Sequence, residues 1–593
     1  MMKRSPSLRK STIVAILQGL ICLSLVRPFK TVAHYFNFDL TSKPFDSANA
    51  GFVVTGNANY DYLGYSVSTA GDVNNDGYDD IILGAHSKYT QRGAAYVIYG
   101  GEKSSLIDLD FAMTTLDPLT TGFMMAGSAD YDRFGLSVST AGDINNDGYD
   151  DIIIGAYWKS AYTGAAYVIY GGPKSSMSNR DFSLGTTTLD PTTTGFMITG
   201  NAPGDQFGTS VSTAGDIDND GYDDIIIGAP LKDGSKGAVY VIYGREKLSM
   251  LNLDLNTLTL DPETTGFKIT GNTASDQLGI SVSRAGDLNK DGYSDLIIGA
   301  AGKSAAYVVY GGPKSSMSNL DFSLSTTTLD PTTTGFVITG NAAGDYLGYS
   351  VSTAGDINND GFDDIIVGAY KKSSSKGAAY VIYGGPKSSI SNLDLSTLTL
   401  DPATTGFMIT GNAASDQFGI SVSRAGDLNK DGYSDIIIGA AGKSAAYVIY
   451  GGPKSSMSHI DLSTTALHPL VNGFMIAGDA AAGDGLGTSV STAGDVNKDG
   501  YRDIIVGAYG MASRKGRAYV IHTGFLTLME YLTTNLACSP CYNCPINCNL
   551  CSNASLCTGC VSPYILYESW CLSACPKRTY SSSSKCKGKK FSF

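Results

Sequence analysis

Short apolar segments separated by polar turns repeat along most of this chain. In the second unit they cover residues 134–139, 151–156, 166–170 and 195–200. Each segment is rich in Val, Ile, Tyr, Phe and Thr and is bounded by Gly, Asn, Asp or Pro, which is typical of β-strands. No segment of the repeats has a sustained 3.6-residue apolar period. The pattern therefore predicts four strands per unit and an all-β fold.

An acidic phrase between the first two segments sets the period of the repeat. It begins at Asp72, Asp143, Asp216, Asp287, Asp356, Asp427 and Asp495. The steps between these positions are 68 to 73 residues. A fixed period of this size indicates a repeat architecture, and seven copies favour a closed ring. Four strands per unit around a ring predict a seven-bladed β-propeller.

The two ends of the repeat region are complementary. A Gly-Phe strand occurs seven times, and its first copy, residues 51–56, precedes the first acidic phrase. The last unit ends with residues 518–521 and has no Gly-Phe strand after it. We therefore expect the first strand to complete the last blade, which closes the ring and removes two open sheet edges.

The acidic phrase has the composition of a calcium loop. Positions 1, 5 and 9 are Asp, position 3 is Asn or Asp, and position 6 is Gly. Alternating oxygen ligands with Gly at a sharp turn suit Ca²⁺, whereas Mg²⁺ keeps its waters and rarely accepts an all-protein cage. The phrase starts like an EF-hand loop but leads into a strand. An ordinary Asp/Asn/Gly turn is the alternative interpretation.

The sequence thus predicts up to seven Ca²⁺ ions, one per blade, with position 7 contributing its backbone carbonyl. The predicted ligands are Asp72, Asn74, Asp76, Tyr78 and Asp80; Asp143, Asn145, Asp147, Tyr149 and Asp151; Asp216, Asp218, Asp220, Tyr222 and Asp224; Asp287, Asn289, Asp291, Tyr293 and Asp295; Asp356, Asn358, Asp360, Phe362 and Asp364; Asp427, Asn429, Asp431, Tyr433 and Asp435; and Asp495, Asn497, Asp499, Tyr501 and Asp503. The third loop has an extra carboxylate and is predicted to bind more tightly. Because neighbouring carboxylates repel one another, bound calcium is expected to stabilise the fold.

The units resemble the FG-GAP repeats of integrin α-subunit head domains over about residues 51–524. The resemblance rests on Phe134-Gly135, on Gly155-Ala156 and on the metal loop between them. It implies that the metal loops join the two inner strands on one face and that ligands dock on the opposite face. The chain departs from integrins because all seven blades carry a metal loop. No thigh, calf or transmembrane module is expected to follow, so a β-subunit partner is not carried over.

The net charge and the N-terminal residues indicate the partners and the location of the protein. Seven Ca²⁺ ions would bring the formal charge of −13 to about +1, so metal sites explain the acidity and no nucleic-acid partner is expected. Residues 1–27 combine a basic start with an apolar run over 13–26, which predicts a secretory signal peptide, with an uncleaved signal anchor as the alternative. Residues 28–50 form a leader. We expect a secreted or cell-surface protein.

The C-terminal residues 525–593 form a separate cysteine-rich module in this interpretation. Ten of the eleven cysteines lie between Cys538 and Cys586. An even number behind a secretory signal predicts a disulfide framework, although the CxxC pairs also permit zinc. The spacing resembles furin-like or EGF-like repeats. Asn553 begins the chain's glycosylation sequon, so we expect a glycoprotein.

The polar residues do not suggest an enzyme. The histidines fall at unrelated repeat positions without a nucleophile partner; they are His34, His86, His459, His468 and His522. We expect an extracellular cell-adhesion or ligand-recognition module whose protein or glycan ligand contacts loops such as 157–162 and 370–372. The alternative is a structural matrix or surface-coat protein that self-associates in calcium.

Overall fold

Seven antiparallel sheets arranged in a ring form the main part of the molecule. The computed structural model describes residues 38–40, 50–184, 188–317, 323–324, 328–479 and 483–524, together with the backbone of strands between 548 and 588. The first strands of neighbouring blades contact one another round a closed circuit that includes the seventh against the first. The predicted seven-bladed β-propeller is confirmed.

Each blade has four main strands, numbered here from the centre outward. The first strands are Ser66–Gly71, Val138–Gly142, Ser210–Gly215, Leu278–Gly286, Ser350–Gly355, Phe418–Gly426 and Leu486–Gly494. The second strands are Asp80–Ala85, Asp151–Ala156, Asp224–Ala229, Asp295–Ala300, Asp364–Ala369, Asp435–Ala440 and Asp503–Ala508. The third strands are Ala94–Ile98, Ala165–Ile169, Ala238–Ile242, Ala305–Val309, Ala378–Ile382, Ala445–Ile449 and Arg517–Ile521. The fourth strands are Gly122–Ala126, Gly195–Thr199, Gly266–Thr270, Gly335–Thr339, Gly406–Thr410, Gly473–Ala477 and Gly51–Thr55.

Short elements decorate the rim and the turns. Two-residue strands pair in parallel with fourth strands and are Phe38–Asp39, Leu109–Asp110, Arg180–Asp181, Leu253–Asp254, Leu393–Asp394 and Ile460–Asp461. Short turns cover Lys88–Gln91, Lys159–Tyr162, Lys232–Ser235, Lys314–Met317, Lys372–Ser375 and Met511–Arg514, and in all of them except Lys314–Met317 the two central residues have a left-handed φ of 51–72°. The 3₁₀ turns are Lys174–Ser176, Phe182–Leu184, Lys247–Ser249 and Ala343–Asp345.

The N-terminal part of the described chain closes the ring, as predicted. Gly51–Thr55 pairs antiparallel with Arg517–Ile521 across all five residues. A second closing contact was not predicted: Phe38 and Asp39 pair in parallel with Ile476 and Ala477 of the sixth blade. The backbone hydrogen bonds of two blades therefore depend on residues near the start of the described chain.

The core lies between the stacked blades. Every residue of each second strand is buried, which explains the unbroken apolar runs of these strands. Phe134 of the second blade, for example, packs within a cluster that includes Ile82 and Val97 of the first. The ring is stabilised by burying apolar surface between neighbouring blades as well as within each sheet.

Two glycines explain the Phe-Gly and Gly-Ala pairs of the repeat. Gly135 has a φ of +83°, a left-handed conformation that favours glycine. A Cβ on Gly84 of the first blade would lie only 2.0 Å from the Gly135 carbonyl oxygen. Close approach of two blades thus requires glycine on both sides. The first strand of the second blade begins at Val138, whereas the apolar pattern predicts a start at residue 134.

The C-terminal residues form a separate unit, 525–593. Its described backbone pairs Cys548–Asn553 with Leu556–Cys560. A second sheet contains Ile565–Tyr567, Trp570–Leu572, Thr579–Ser582 and Lys585–Gly588. The predicted disulfides, the zinc alternative and the Asn553 sequon concern side chains outside the description, as do the signal and leader at residues 1–37. In the described part of the chain, no helix has the length and apolarity needed to cross a bilayer.

Candidate metal centres

The first acidic loop connects the first and second strands of its blade and folds around its own carboxylates. The side chain of Asp72 accepts the backbone N–H of Asp76 at 3.1 Å and that of Gly77 at 2.7 Å. One oxygen of Asp76 accepts the N–H of Tyr78 at 3.1 Å. Position 4, Asn75, has a left-handed φ of 54°, which Asn tolerates better than most residues. These bonds fix the carboxylates of positions 1 and 5 against the backbone of the loop.

The carboxylate at position 9 is fixed most firmly. Asp80 is fully buried and accepts the N–H of Val73 at 3.1 Å, the Asn74 amide at 3.0 Å and the N–H of Gly100 at 2.8 Å. Burial raises the pKa of Asp80 well above its usual value, and the charges of Asp76 and Asp72 raise it further. A cation bound in the loop would offset this accumulation of negative charge.

The same geometry recurs in all seven loops. The position-1 carboxylate accepts the N–H of position 5 at 3.0–3.1 Å and that of position 6 at 2.7–3.0 Å throughout. The position-9 side chain is fully buried in each loop. The loops are therefore built alike in every blade, although in the described part of the chain only the third loop brings three carboxylates within 4.8 Å of one another. Coordination by the position-7 carbonyl stays a prediction.

Buried oxygens without a hydrogen-bond partner show that the loops fit a cation. In the first five loops the position-3 side chain is 5–8% exposed and has an unpartnered oxygen; the residues are Asn74, Asn145, Asp218, Asn289 and Asn358. A buried acceptor left unpaired is unfavourable by about 1–3 kcal/mol. Because these oxygens lie in the loops beside the carboxylates, an oxygen-seeking cation such as Ca²⁺ would satisfy them.

The third loop has the densest carboxylates. Ligand oxygens of Asp216, Asp218 and Asp224 lie within 4.8 Å of one another. Burial raises the pKa of Asp218 to about 6, and the charge of Asp220 adds to the rise while Lys314 opposes it. The tighter binding expected of this loop stays a prediction.

The seventh loop differs from the others in the residue that lies beside its position-9 carboxylate. Where the other blades have a Tyr after the third strand, this blade has His522, which is fully buried. Its Nδ1 lies 3.1 Å from Asp503 and 2.9 Å from the Asn497 amide. Burial raises the pKa of Asp503 to about 6, although the His522 hydrogen bond opposes the rise.

Acidification is expected to shrink the calcium-induced rise in melting temperature between pH 7 and pH 5. The folded pKa of Asp218 and Asp503 is about 6, above an unfolded value of about 3.9. Below pH 6 the folded state therefore retains protons that compete with Ca²⁺, and without calcium the same groups make stability fall as the pH rises through this window. Thermal melts at both pH values, with calcium and with BAPTA, measure the increment. Equal increments at pH 5 and pH 7 would contradict this expectation.

Hydrogen bonds between neighbouring loops were missed by the sequence analysis. The N–H of Asp150, at position 8 of the second loop, donates to the Asp72 carbonyl at 3.3 Å. In return, the Asp150 side chain accepts the Asp72 N–H at 2.8 Å. Asp79 makes the same exchange with Asp495 of the seventh loop, at 3.4 and 2.7 Å. Metal loops are thus linked from blade to blade.

Aromatic side chains gather at the opposite end of the blades. The loops between second and third strands place Trp158 4.7 Å from the Tyr162 ring, with the Arg133 guanidinium 4.8 Å from the Trp158 ring. Tyr131 and Tyr162 of this group are 50% and 37% exposed. We call these residues of the second blade, together with Tyr157, the Trp158 cluster.

Two further aromatic groups lie at this end. His86 contacts Tyr62 and Tyr65 of the first blade, with ring centroids 5.7 and 4.5 Å away, and Tyr509 of the seventh blade contacts both tyrosines. Burial raises the pKa of Tyr65, with Tyr509 and Tyr157 adding to the rise. In the fifth blade Tyr370 lies 4.6 Å from Tyr349, and Lys371 covers Tyr346.

The histidines occupy structural positions where they are described. Burial lowers the pKa of His86 to about 3, so this ring is neutral at physiological pH. His459 Nδ1 accepts the Met408 N–H at 3.1 Å, and His468 Nδ1 accepts the Leu470 N–H at 3.3 Å. His34 lies outside the described residues.

Comparisons with known proteins agree with the geometry. The FG-GAP repeat model matches residues 63–98, 134–169, 207–242, 279–311, 347–382, 418–449 and 486–521. Integrin alpha-4 of Xenopus laevis is 29% identical over 241 residues, which are 40% of this chain and 20% of that protein. Integrin alpha-5 of Xenopus laevis is 30% identical over 42% of this chain and 21% of its own length. Integrin alpha-V of Gallus gallus is 30% identical over 41% of this chain and 20% of its own length.

These alignments span about a fifth of the relatives' length. Among solved structures, Sqt1 of Chaetomium thermophilum overlaps with a TM-score of 0.38 and 10% identity, over 80% of this chain and 98% of that one, a likeness too distant to argue from. The repeats and the relatives agree on one architecture. The described ring is a seven-bladed β-propeller of FG-GAP repeats similar to that of integrin alpha chains.

Proposed function

We propose that this chain is an extracellular, calcium-binding adhesion or ligand-recognition module. The observation that carries the proposal is the acidic loop repeated seven times with the same internal hydrogen bonds, five copies of which have a buried, unpartnered position-3 oxygen. Each loop would hold Ca²⁺ through the side chains at positions 1, 3, 5 and 9. The ion would supply positive charge that cross-links the first and second strands of its blade.

The chemistry of the donors favours calcium over other metals. All proposed side-chain ligands are carboxylate or amide oxygens. Hard oxygen ligands in a protein cage suit Ca²⁺, whereas Mg²⁺ retains waters and soft metals prefer sulfur or imidazole. His522 touches the seventh loop only through Asp503 and Asn497, and both contacts are hydrogen bonds.

The opposite end of the blades is the proposed ligand face. Its aromatic groups lie on the first, second, fifth and seventh blades, while the fourth and sixth blades have only four residues between their second and third strands, 301–304 and 441–444. Partly exposed aromatics backed by Arg and Lys are enriched at recognition sites. This unevenness supports one protein or glycan ligand over a sevenfold-symmetric contact.

We propose a binding role without catalysis, and a location outside the cell. The similarity to integrin alpha chains and the expected signal peptide support both statements. The structural-matrix alternative shares the same calcium-dependent ring and differs in its partner, which would be another copy of the chain.

Binding of the labelled, secreted full chain to intact cells and matrix tests the function. Saturable binding in calcium that is lost in EGTA is the expected result. Calcium-dependent self-association without cell or matrix binding, measured by analytical ultracentrifugation, would instead favour the structural role. A chain that neither binds nor self-associates while fully folded would contradict both roles.

Trp158→Ala is expected to weaken binding at least tenfold while leaving the fold intact. Trp158 is the centre of the exposed aromatic group, and truncation of a central aromatic typically removes about 2 kcal/mol or more of binding energy. Met113→Ala is the matched control, because Met113 is 87% exposed on the connection between third and fourth strands of the first blade. Unchanged affinity of the Trp158 variant would remove this cluster from the ligand face.

A further inference from the structure

A lysine from one blade reaches the metal loop of the blade before it. The lysine stands in the segment after the third strand and pairs with the position-5 carboxylate. The pairs are Lys174–Asp76 at 2.7 Å, Lys247–Asp147, Lys314–Asp220 at 2.6 Å, Lys387–Asp291 at 2.8 Å and Lys454–Asp360 at 2.7 Å. Five loops therefore have an intramolecular cation on one of their proposed calcium ligands.

An aromatic ring fixes each of these lysines. The tyrosine that follows the third strand of the preceding blade lies beneath the ammonium, with 4.8–5.0 Å between Nζ and the ring centroid. These rings belong to Tyr99, Tyr170, Tyr243, Tyr310 and Tyr383. The lysine side chains are only 27–33% exposed. A charge held between a ring and a carboxylate is better ordered than a solvated surface lysine.

The described residues of the sixth and seventh loops lack this ion pair, although a different lysine lies near the seventh loop: the Lys430 ammonium is 3.6 Å from the centroid of the Tyr501 ring at position 7. In the other blades the lysine stands four residues after the tyrosine that follows the third strand, and in the seventh blade the sequence has Leu526 at this distance from His522. Lys103 is the counterpart in the first blade, but among the described residues it forms no ion pair with Asp499 of the seventh loop.

The position-3 side chains divide the loops in the same way. In the five lysine-paired loops this side chain has a buried oxygen without a hydrogen-bond partner. In the other two loops, Asn429 and Asn497 accept the N–H of Asp431 and Asp499 at 3.0 and 2.9 Å. The same five loops thus differ from the other two at position 3 as well, but this second difference by itself favours a cation in the five, so the division proposed below rests on the lysines alone.

We propose that these five lysines set the calcium affinity of the loops, so that the protein has five weaker sites and two tighter ones. The inference rests on the proposed calcium binding. A Ca²⁺ bound to the position-5 carboxylate would share that group with the lysine ammonium. Like charges that share one carboxylate repel, so each lysine either leaves its carboxylate or lowers the affinity of the ion.

The third loop follows the same rule despite its extra carboxylate. Lys314 contacts Asp218 at 3.3 Å in addition to Asp220. The extra negative charge is therefore met by a second contact of the same lysine. For this reason we place the third loop with the weaker five, which replaces the tighter binding expected from its extra carboxylate alone.

Calcium counting by native mass spectrometry at buffered free calcium tests the division. The natural chain is expected to bind two ions first and five more at about tenfold higher free calcium. The test variant has Gln in place of all five lysines and is expected to fill all seven loops in one step. Its substitutions are Lys174→Gln, Lys247→Gln, Lys314→Gln, Lys387→Gln and Lys454→Gln. Its melting temperature in EGTA is expected to fall, because the loops lose their internal cation.

A control variant with the same change in net charge distinguishes the effect of the Lys–Asp contacts on calcium affinity from the effect of net charge. It replaces five other lysines by Gln. One of them is Lys103. The other four lie in loops between second and third strands, at the end of the blades opposite the metal loops, and are Lys236, Lys303, Lys443 and Lys515. The control is expected to keep the division of two and five. If it loses the division as the test variant does, general electrostatics explain the affinities and the proposal is overturned.

The remaining outcomes are also decisive. Seven equivalent sites in the natural chain, or a two-and-five division that persists in the test variant, would overturn the role of the lysines while leaving calcium binding intact. Failure of every protein to bind calcium would overturn the proposed function itself. If the fivefold variant does not fold, Lys387→Gln alone is expected to change the division to three and four.

Discussion

EGTA is expected to lower the melting temperature of the purified chain by about 10 °C or more. Each loop saturated at a hundredfold its Kd contributes about 2.7 kcal/mol to the folded state, and several such loops act on one cooperative ring. Without calcium each loop has three or four carboxylates at positions 1, 3, 5 and 9, and the position-3 oxygens of five loops are unpaired. Differential scanning calorimetry in calcium and in EGTA measures the shift.

Replacement of calcium after chelation provides the control. Excess calcium is expected to restore the original transition, whereas magnesium at the same concentration restores only a small part of it because Mg²⁺ rarely accepts a fully dehydrated protein cage. An unchanged melting temperature in EGTA would show that the loops are ordinary Asp/Asn/Gly turns held by their own hydrogen bonds.

The fold and the loop side chains were predictable because they depend on short-range patterns. Each second strand is buried on both faces, and the chain marks this with an apolar run after position 9 of the loop. The position-1 carboxylate bonds to amides only four and five residues away, so the loop geometry is encoded locally. One copy of this loop pattern would have been ambiguous, but seven copies at a fixed period made the prediction specific.

Contacts between blades were not predictable in the same way. The Ser66 hydroxyl donates to the Gly135 carbonyl at 3.0 Å, and Lys174 reaches Asp76, across separations of 69 and 98 residues. Such pairs depend on the angle at which one sheet stacks on the next, which no pattern within a repeat reports. A serine of the first strand therefore looked like an ordinary polar strand residue, and the lysine like part of a solvated loop.

The backbone pairing at the outer edge of the blades was also not predictable from the pattern within a repeat. Two-residue strands such as Leu253–Asp254 add to the fourth strand of the preceding blade through main-chain hydrogen bonds. Two residues are too few to give a periodic apolar pattern. The pairing of Phe38–Asp39 with the sixth blade belongs to this class, and it extends ring closure N-terminal to the strand that the repeat arithmetic identified.

Val54→Asp is expected to unfold the whole ring and not one blade. Val54 is fully buried in the strand that joins the first and last parts of the propeller, between the backbone of Ala518 and that of Leu109. Burying an unpaired carboxylate in the core destabilises a protein by about 4 kcal/mol or more. Because this strand completes the seventh blade, its loss exposes sheet edges on both sides of the closure.

Val53→Asp is the matched control for this variant. Val53 is the neighbouring residue of the same strand, but its side chain is only partly buried, so the same charge is expected to shift the melting temperature by no more than a few degrees. Hydrogen exchange resolved by mass spectrometry distinguishes the mechanisms. Global loss of protection, including blades three to five, is expected for Val54→Asp in calcium. Exchange confined to residues 51–55 and 517–521 would mean that the remaining blades are stable as an open array, and that closure by the N-terminal strand is not what holds the ring together.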